Sequence, residues 1–147
     1  MSEKIIIYTD GGSRNNPGIA GAGAVIANGN GEVLKRVSKP LGVMTNNEAE
    51  YEAVFLGLET AKKLLGKEKL KNLKVEIRLD SELIARQLSD EYQIKEERLF
   101  PYFIKIHNMR ISEMPKLSFT HIPREKNEEA DLLANHAMDA QERPKLL

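Results

Sequence analysis

The sequence predicts an α/β protein in which a five-stranded mixed sheet is flanked by helices. Short runs of β-branched and aromatic residues predict strands, and longer runs with a helical period predict helices. They follow one another in the order βββαβααβα, which favours helices packed on the faces of one sheet. The 147 residues are enough for one domain with a substantial core. We expect residues 1–147 to form that single domain and residues 141–147 to be a frayed tail.

The first three strands are predicted from the amino-terminal third of the chain. Residues 5–8 are an unbroken β-branched and aromatic run, which is typical of a strand covered on both faces. Small residues at 20–27 predict the second strand, and the Asn-Gly-Asn-Gly sequence at 28–31 predicts a hairpin turn. Residues 32–41 then return as the third strand, which we expect to end before Gly42.

The remaining elements alternate between helices and short strands. A helix is predicted from about 47 to 65 and is closed by Gly66. An alternating pattern at 75–79 predicts the fourth strand, and Ser81 after it can cap a short helix. The other predicted elements are that helix at 82–88, a helix at about 98–110, a strand at 117–121 and a helix at 127–140.

Composition limits the classes of function. Lysine plus arginine and aspartate plus glutamate both number 22, so the net charge is zero and a nucleic-acid-binding surface has to be local. The chain has no cysteine, which excludes disulfides and thiolate zinc sites. No apolar stretch is long enough to span a membrane, and we expect no signal peptide before the first strand. We therefore expect a cytoplasmic protein.

Asp10 stands at the tip of the first predicted strand and is followed at once by Gly11 and Gly12. A buried carboxylate there is costly unless it is paired or holds a cation. The glycines permit close approach of other groups to the backbone. This stretch therefore favours a metal-holding carboxylate beside a loop that admits a phosphate backbone, with Gly11 and Gly12 as candidate substrate-binding residues. The simpler alternative is an ordinary turn that contains Asp10.

Helical phase separates the glutamates of the first predicted helix. At about 100° per residue, Glu50 shares a stripe with apolar residues such as Val54 and Leu58. Glu48 falls on the opposite, polar face with Glu52. We therefore expect Glu48 at the surface and Glu50 to point inward, where a carboxylate needs a specific reason.

Asp80, Asp131 and His121 complete the candidate site. Asp80 ends the fourth strand and has an alternative as a helix cap, whereas Asp131 has an alternative as a first-turn acid stabilised by the helix dipole. Asp80 and Asp131, together with Asp10 and Glu50, form a set of four carboxylates that suits Mg²⁺ or Mn²⁺. Two such ions can stabilise both oxygens of an in-line phosphoryl displacement. His121 ends the fifth strand and is a candidate proton carrier.

Four motifs in order, TDGGSRNNPG, TNNEAEY, RLDSEL and HIPREKNEEAD, resemble the type 1 ribonuclease H (RNase HI) family over residues 4–140. The resemblance implies a ribonuclease H-like fold with three antiparallel strands followed by two parallel ones. It also implies cleavage of the RNA strand of RNA/DNA hybrids with two Mg²⁺ ions, for which Mn²⁺ can substitute. The family acids fall on Asp10, Glu50, Asp80 and Asp131. The family histidine, which is thought to assist proton movement and product release, falls on His121.

Further family positions fall on candidate substrate-binding residues. Asn16, Asn46 and Asn47 match positions near ribose 2′-hydroxyls, the groups that distinguish RNA from DNA. Thr45 matches part of a pocket for a phosphate of the DNA strand. From the residues alone, Asn46 and Asn47 are also explained as helix N-caps.

The chain departs from many bacterial members of the family between Asp80 and the fifth strand. Residues 88–98 are short and of mixed charge, which resembles the branch that lacks a basic protrusion. The family tryptophan that stacks on DNA has no counterpart, and Tyr92 is the nearest substitute. Six lysines are either a backbone-binding patch or a solvated helix end. These lysines are Lys62, Lys63, Lys67, Lys69, Lys71 and Lys74.

The predicted function is a hybrid-specific endoribonuclease. We expect a monomer whose partner is an RNA/DNA hybrid, with no membrane and no obligate protein partner. One alternative is a nuclease of the same fold that also cuts double-stranded RNA. Another is a non-catalytic hybrid-binding module, although such a module usually lacks one of the four acids. A purely structural α/β domain leaves the inward position of Glu50 unexplained.

Overall fold

The computed structural model describes residues 3–142. Its strands are β1 (Lys4–Ser13), β2 (Gly18–Asn28), β3 (Val33–Met44), β4 (Lys74–Leu79) and β5 (Leu117–His121). They form one sheet in the order β3-β2-β1-β4-β5. The first three strands pair antiparallel, whereas β1 pairs parallel with β4, and β4 with β5. The predicted mixed sheet is therefore confirmed.

Within residues 3–142, five α-helices accompany the sheet. They are α1 (Asn46–Leu65), α2 (Lys67–Asn72), α3 (Glu82–Leu88), α4 (Phe100–Ser112) and α5 (Glu128–Glu142). Short 3₁₀ turns at Glu97–Leu99 and Arg124–Lys126 precede α4 and α5. In the described part of the chain no helix is both long and apolar enough to cross a membrane.

The two long helices α1 and α5 pack on opposite faces of the sheet, because side chains alternate between faces along a strand. On one face, Ile7 and Ile77 of the sheet pack in a fully buried cluster with Val54 and Leu58 of α1. On the other face, α5 lies directly against β2. A Cβ on Gly23 would stand only 2.4 Å from the carbonyl oxygen of Ala130, so this close approach depends on the glycine.

Several element boundaries differ from those predicted. β3 continues past Gly42 to Met44, because a shift in its pairing with β2 absorbs the irregular residues near the glycine. The helix α2 was not predicted, and it forms around one fully buried side chain, Leu70. At the end of the chain, α5 continues through residues 141 and 142. The rest of the predicted tail, residues 143–147, lies outside the described residues.

Candidate active site

The first two candidate acids meet at one edge of the sheet. Asp10 lies in β1, and Asp80 directly follows Leu79, the residue of β4 that pairs with Thr9. Asn127, which is 1% exposed, joins the two strand ends. Its Nδ2 donates to the carbonyl oxygen of Thr9 at 2.9 Å and to Asp80 Oδ2 at 3.1 Å. Parallel pairing and this amide therefore fix the two carboxylates side by side.

Glu50 reaches the same edge from α1. The helix crosses β1 at Gly11, where an added Cβ would stand 2.1 Å from the carbonyl oxygen of Ala49. The backbone N–H of Gly11 lies near the Glu50 carboxylate and acts to lower its pKa. One carboxylate oxygen from each of Asp10, Glu50 and Asp80 lies within 4.8 Å of the other two. Gly11 is therefore buried beneath α1, and the close approach of the helix at this glycine brings Glu50 to Asp10 and Asp80.

The fourth predicted acid, Asp131, approaches from the other face of the sheet. The close packing of α5 on Gly23 brings the first turn of that helix to β1 and β2. The half-buried Asp131 side chain reaches hydrogen-bond distance of Asp10 and raises its pKa. It does not belong to the tightest group of three carboxylates. Asp131 therefore contacts the acid cluster at its margin.

The cluster is electrostatically unfavourable without a cation. Burial, then the charge of Asp80 and the contact with Asp131, raise the pKa of Asp10 to about 8, and Arg124 opposes this. Burial, then the charges of Asp10 and Asp80, raise the pKa of Glu50 well above its ordinary value. Within residues 3–142, the buried Glu50 Oε2 accepts no hydrogen bond. Converging hard oxygen ligands with an unsatisfied acceptor fit a divalent cation such as Mg²⁺.

His121 lies at the rim of the cluster. It is the last residue of β5 and pairs with Leu79, the neighbour of Asp80. The N–H of Ile122 donates to the carbonyl oxygen of Leu79 at 2.9 Å, which holds the chain after β5 against the end of β4. The imidazole is exposed. Its position gives it access to solvent beside the acids.

The start of α1 forms a second part of the rim. Thr45 is the N-cap, and its Oγ1 accepts from the N–H of Glu48 at 3.2 Å and is 3.2 Å from Glu48 Oε1, to which it donates. The interpretation of Asn46 and Asn47 as N-caps is therefore wrong, since Thr45 and Glu48 supply the cap. The N–H of Asn46 donates to Asn16 Oδ1 at 3.0 Å, which joins the loop after β1 to this rim.

Gly12 and Tyr92 occupy different parts of the surface. A Cβ on Gly12 would lie 3.8 Å from the Asn46 side chain, so Gly12 lies next to Asn46 at the start of α1. Tyr92 is 48% exposed and lines a groove of about 480 Å³ with Leu83. The Arg86 guanidinium lies 5.4 Å from the centroid of the Tyr92 ring. One face of this ring is therefore in contact with protein.

The lysine-rich stretch lies away from the acids. Lys62 follows Glu50 by twelve residues of α1, which corresponds to roughly 18 Å along the helix. Lys62 and Lys67 approach Glu113 at 3.1 and 3.6 Å, which engages part of the stretch in ion pairs. Lys74 begins β4 at the end of the strand opposite Asp80. This arrangement favours the solvated helix end over a patch that adjoins the candidate site.

Sequence reasoning missed Asn127 as a site residue. Its amide links Thr9 and Asp80, and its carbonyl oxygen accepts from the N–H of Asp131 at 3.1 Å. The spacing Asn-x-x-Ala-Asp in the last motif was the available signal. The bonds of the side-chain amide join residues more than forty positions apart, so they follow only from the folded arrangement.

Comparisons with known proteins identify the family. A family model described as Reverse transcriptase-like matches residues 8–137. The chain belongs to this ribonuclease H-like family. Within it, the likeness is to ribonucleases of type 1. The structure resembles that of LC11-RNase H1, isolated from compost by a metagenomic approach, with 48% identity, coverage of 94% of this chain and 97% of that chain, and a TM-score of 0.89.

Two other relatives come from named organisms. RNase H1 from the halophilic archaeon Halobacterium salinarum NRC-1 is 34% identical, with 93% of this chain and 98% of that chain covered and a TM-score of 0.84. The bifunctional protein Rv2228c of Mycobacterium tuberculosis is 36% identical over 93% of this chain. The match spans only 36% of that mycobacterial protein and 65% of the full Ribonuclease HI of Halobacterium salinarum.

Proposed function

We propose that this chain is an endoribonuclease that hydrolyses the RNA strand of RNA/DNA hybrids. The observation that carries the proposal is the convergence of Asp10, Glu50 and Asp80 oxygens within 4.8 Å of one another at the edge of a ribonuclease H-like sheet. LC11-RNase H1, to which the chain is 48% identical, has been determined in complex with an RNA/DNA hybrid. We further propose that the protein acts as a monomer in the cytoplasm.

The proposed cofactor is Mg²⁺, with Mn²⁺ as a substitute. Asp10, Glu50, Asp80 and Asp131 would hold it, since their carboxylates are the hard oxygen ligands that these ions prefer. When bound, two such ions supply stabilisation of the attacking and leaving oxygens of a phosphoryl displacement. The protein contributes the preorganised acids, which the strand ends and the two helices hold in place before substrate arrives.

Other side chains have proposed roles around the acids. His121 carries protons between the acid cluster and the solvent, since its imidazole lies exposed at the rim. Asn16, Asn46 and Asn47 bind the sugar edge of the RNA strand, where the 2′-hydroxyl distinguishes RNA from DNA. Tyr92 stacks on a base of the DNA strand through the face of the ring opposite Arg86.

We propose that Thr45 binds a phosphate of the DNA strand, which requires its hydroxyl to change its hydrogen-bond partner. A hydroxyl has a single donor hydrogen, and that of Thr45 is directed at Glu48 Oε1 at 3.2 Å. A phosphate oxygen is an acceptor, so the hydroxyl has to turn from Glu48 to the DNA strand when a hybrid binds. The backbone cap of α1 remains available throughout, because Oγ1 can still accept from the N–H of Glu48.

Cleavage of matched duplexes tests the proposed function. RNA/DNA, RNA/RNA and DNA/DNA duplexes of the same sequence are incubated with the protein in Mg²⁺ and in EDTA. We expect Mg²⁺-dependent cleavage of the RNA strand of the hybrid alone. Comparable cleavage of RNA/RNA would identify the broader nuclease, and tight hybrid binding without cleavage would identify the binding module. Hybrids with a 2′-deoxy nucleotide next to the scissile bond test the role of the hydroxyl, and undiminished cleavage of them would contradict it.

A further inference from the structure

Two neighbouring amides at the start of α1 are held in opposite orientations. The Oδ1 of Asn46 accepts from the N–H of Ser13 at 2.8 Å and from its hydroxyl at 3.1 Å. The amide of Asn47 is engaged through its other end, since its Nδ2 donates to Glu96 Oε1 at 2.7 Å. Asn46 therefore retains amide hydrogens to donate, whereas Asn47 retains a carbonyl oxygen to accept.

Glu96 fixes the orientation of Asn47 more strictly than a neutral partner would. A carboxylate only accepts hydrogen bonds, so the Asn47 amide has to present its NH₂ group to Glu96. The bond is short and charge-assisted, which strengthens the preference. Glu96 lies in the segment between α3 and α4, forty-nine residues from Asn47. The orientation is thus imposed by a distant part of the chain.

The helix does not need either amide for its own stability. The N-cap and the capping box are supplied by Thr45 and Glu48. Asn46 and Asn47 follow the cap and lie at the rim that also contains Asn16. Their fixed orientations are therefore available for recognition of a ligand that both donates and accepts hydrogen bonds.

We propose that Glu96 is a positioning residue that makes Asn47 an obligate acceptor for a ribose 2′-hydroxyl, beside the donor Asn46. The inference rests on the proposed function. A 2′-hydroxyl donates and accepts, whereas a 2′-fluoro group cannot donate. A fluorine opposite Asn47 leaves the carbonyl oxygen unpaired, and a site built for a hydroxyl discriminates against such a loss. Glu96 thus contributes to the selectivity for RNA without contact with the substrate.

The matched variants are Glu96→Gln and Glu97→Gln. Glutamine has the shape of glutamate but can also donate, so it allows the Asn47 amide to turn over. Glu97 is the adjacent exposed glutamate, and within residues 3–142 it forms no side-chain hydrogen bond or ion pair. The control therefore removes the same charge from the same surface and leaves the Asn47 amide as it is.

Single-turnover cleavage is measured on hybrids in which one 2′-fluoro nucleotide is moved stepwise along the RNA strand. In the unmodified protein and in Glu97→Gln, one position should slow cleavage by about tenfold or more. In Glu96→Gln the same position should slow it by less than about threefold, because the turned amide no longer requires a donor. An unchanged penalty, or an equal loss of rate on every substrate, would overturn the inference and indicate a contact that only pins the loop.

A spectroscopic measurement separates this inference from the proposed function. The side-chain NH₂ signal of Asn47 is recorded by NMR without nucleic acid. It should show the shift and slowed hydrogen exchange of a bonded amide in the unmodified protein and in Glu97→Gln. Both should be reduced in Glu96→Gln, whose glutamine can accept from the NH₂ group or donate to the carbonyl oxygen. Identical signals in all three proteins would overturn the role of Glu96 alone. Failure of the unmodified protein to cleave any hybrid would instead overturn the proposed function.

Discussion

Two carboxylates on the same face of neighbouring strands have opposite surroundings. Glu76 of β4 receives Lys4 Nζ at 2.8 Å, Arg78 Nη2 at 3.1 Å and the Thr120 hydroxyl at 2.6 Å. Burial alone would raise its pKa, but these partners outweigh burial and lower the pKa to about 2. Asp10, at the edge of β1, is surrounded by other acids, and its pKa rises to about 8. Because both groups are carboxylates on the same sheet, the difference between their pKa values comes from the surrounding residues.

The difference shows what the fold does with a partly buried acid. In the middle of the sheet, the protein supplies Lys4 and Arg78 as cationic partners, so Glu76 belongs to a structural ion pair. At the edge, Arg124 opposes the raised pKa of Asp10, and the Gly11 backbone and Arg124 oppose that of Glu50, but burial and acid–acid repulsion exceed these influences. An acid cluster that the protein leaves uncompensated is suited to cations from solvent. This contrast argues against a purely structural role for Asp10 and Glu50.

The largest expected effect separates Glu50 from Glu48. Glu50→Gln removes charge from the acid cluster, and we expect it to lower the single-turnover rate on an RNA/DNA hybrid by about 10³-fold or more, roughly 4 kcal/mol. Glu48→Gln is the matched control, because glutamine also serves in a capping box. It should remain within about threefold of the unmodified protein. An inactive Glu48→Gln with an active Glu50→Gln would contradict the assignment.

The next prediction concerns the uncompensated acid. An aspartate in the unfolded chain titrates near 3.8, whereas Asp10 in the folded protein has a pKa of about 8. Between these values the folded state keeps a proton that the unfolded state has lost, so this residue destabilises the fold increasingly as pH rises. Asp10→Asn should therefore raise the free energy of unfolding at pH 8 in EDTA, by an amount on the order of 1–3 kcal/mol. Urea denaturation at pH 4 and pH 8 measures it.

A loss of stability in Asp10→Asn at pH 8 would contradict this account. It would indicate that the carboxylate is a structural partner of a cation, as Glu76 is. Addition of Mg²⁺ supplies the complementary control, since binding to the folded state alone stabilises it. The unmodified protein should gain more stability from Mg²⁺ than Asp10→Asn does.

Glu76→Gln should have the opposite sign. Its pKa is lowered to about 2, so its contribution to stability is present above the unfolded value near 4.5 and is lost as pH falls through this range. At pH 7 we expect Glu76→Gln to lower the free energy of unfolding by about 1–2 kcal/mol, because Lys4 and Arg78 lose their partner. The difference between variant and unmodified protein should shrink toward pH 3. A stabilising effect at pH 7 would remove the distinction between the two acids.

The sequence predicts the parts of the site that depend on local pattern. Asp10 and Asp80 were found because strands end there, and Glu50 because its helical phase differs from that of Glu48. Asn127 and Glu96 were missed, since their bonds to Asp80 and Asn47 join segments forty-seven and forty-nine residues apart. Such contacts depend on strand register and loop path, which composition and periodicity do not specify.

The same distinction explains the errors in the fold. α2 is six residues long and depends on the burial of Leu70, so its polar sequence shows no helical stripe. β3 continues beyond Gly42 because β2 is there to pair with it, and its own residues suggest a turn. In both cases tertiary contacts outweigh the local preference of the chain.

The smallest expected effect concerns His121. If the uncompensated acids alone hold the metal, a rim residue should alter turnover and leave the Mg²⁺ dependence as it is. His121 is exposed at the end of β5, so His121→Ala removes the proposed proton carrier and leaves the packing of the cluster intact. We expect kcat to fall by about tenfold, with the Mg²⁺ concentration for half-maximal activity within about twofold. His136→Ala, at an exposed position of α5, is the control and should have no effect. A parallel loss of kcat and Mg²⁺ affinity in His121→Ala would indicate that the imidazole is a metal ligand. His121 would then belong to the metal site together with the acid cluster, and not to its rim.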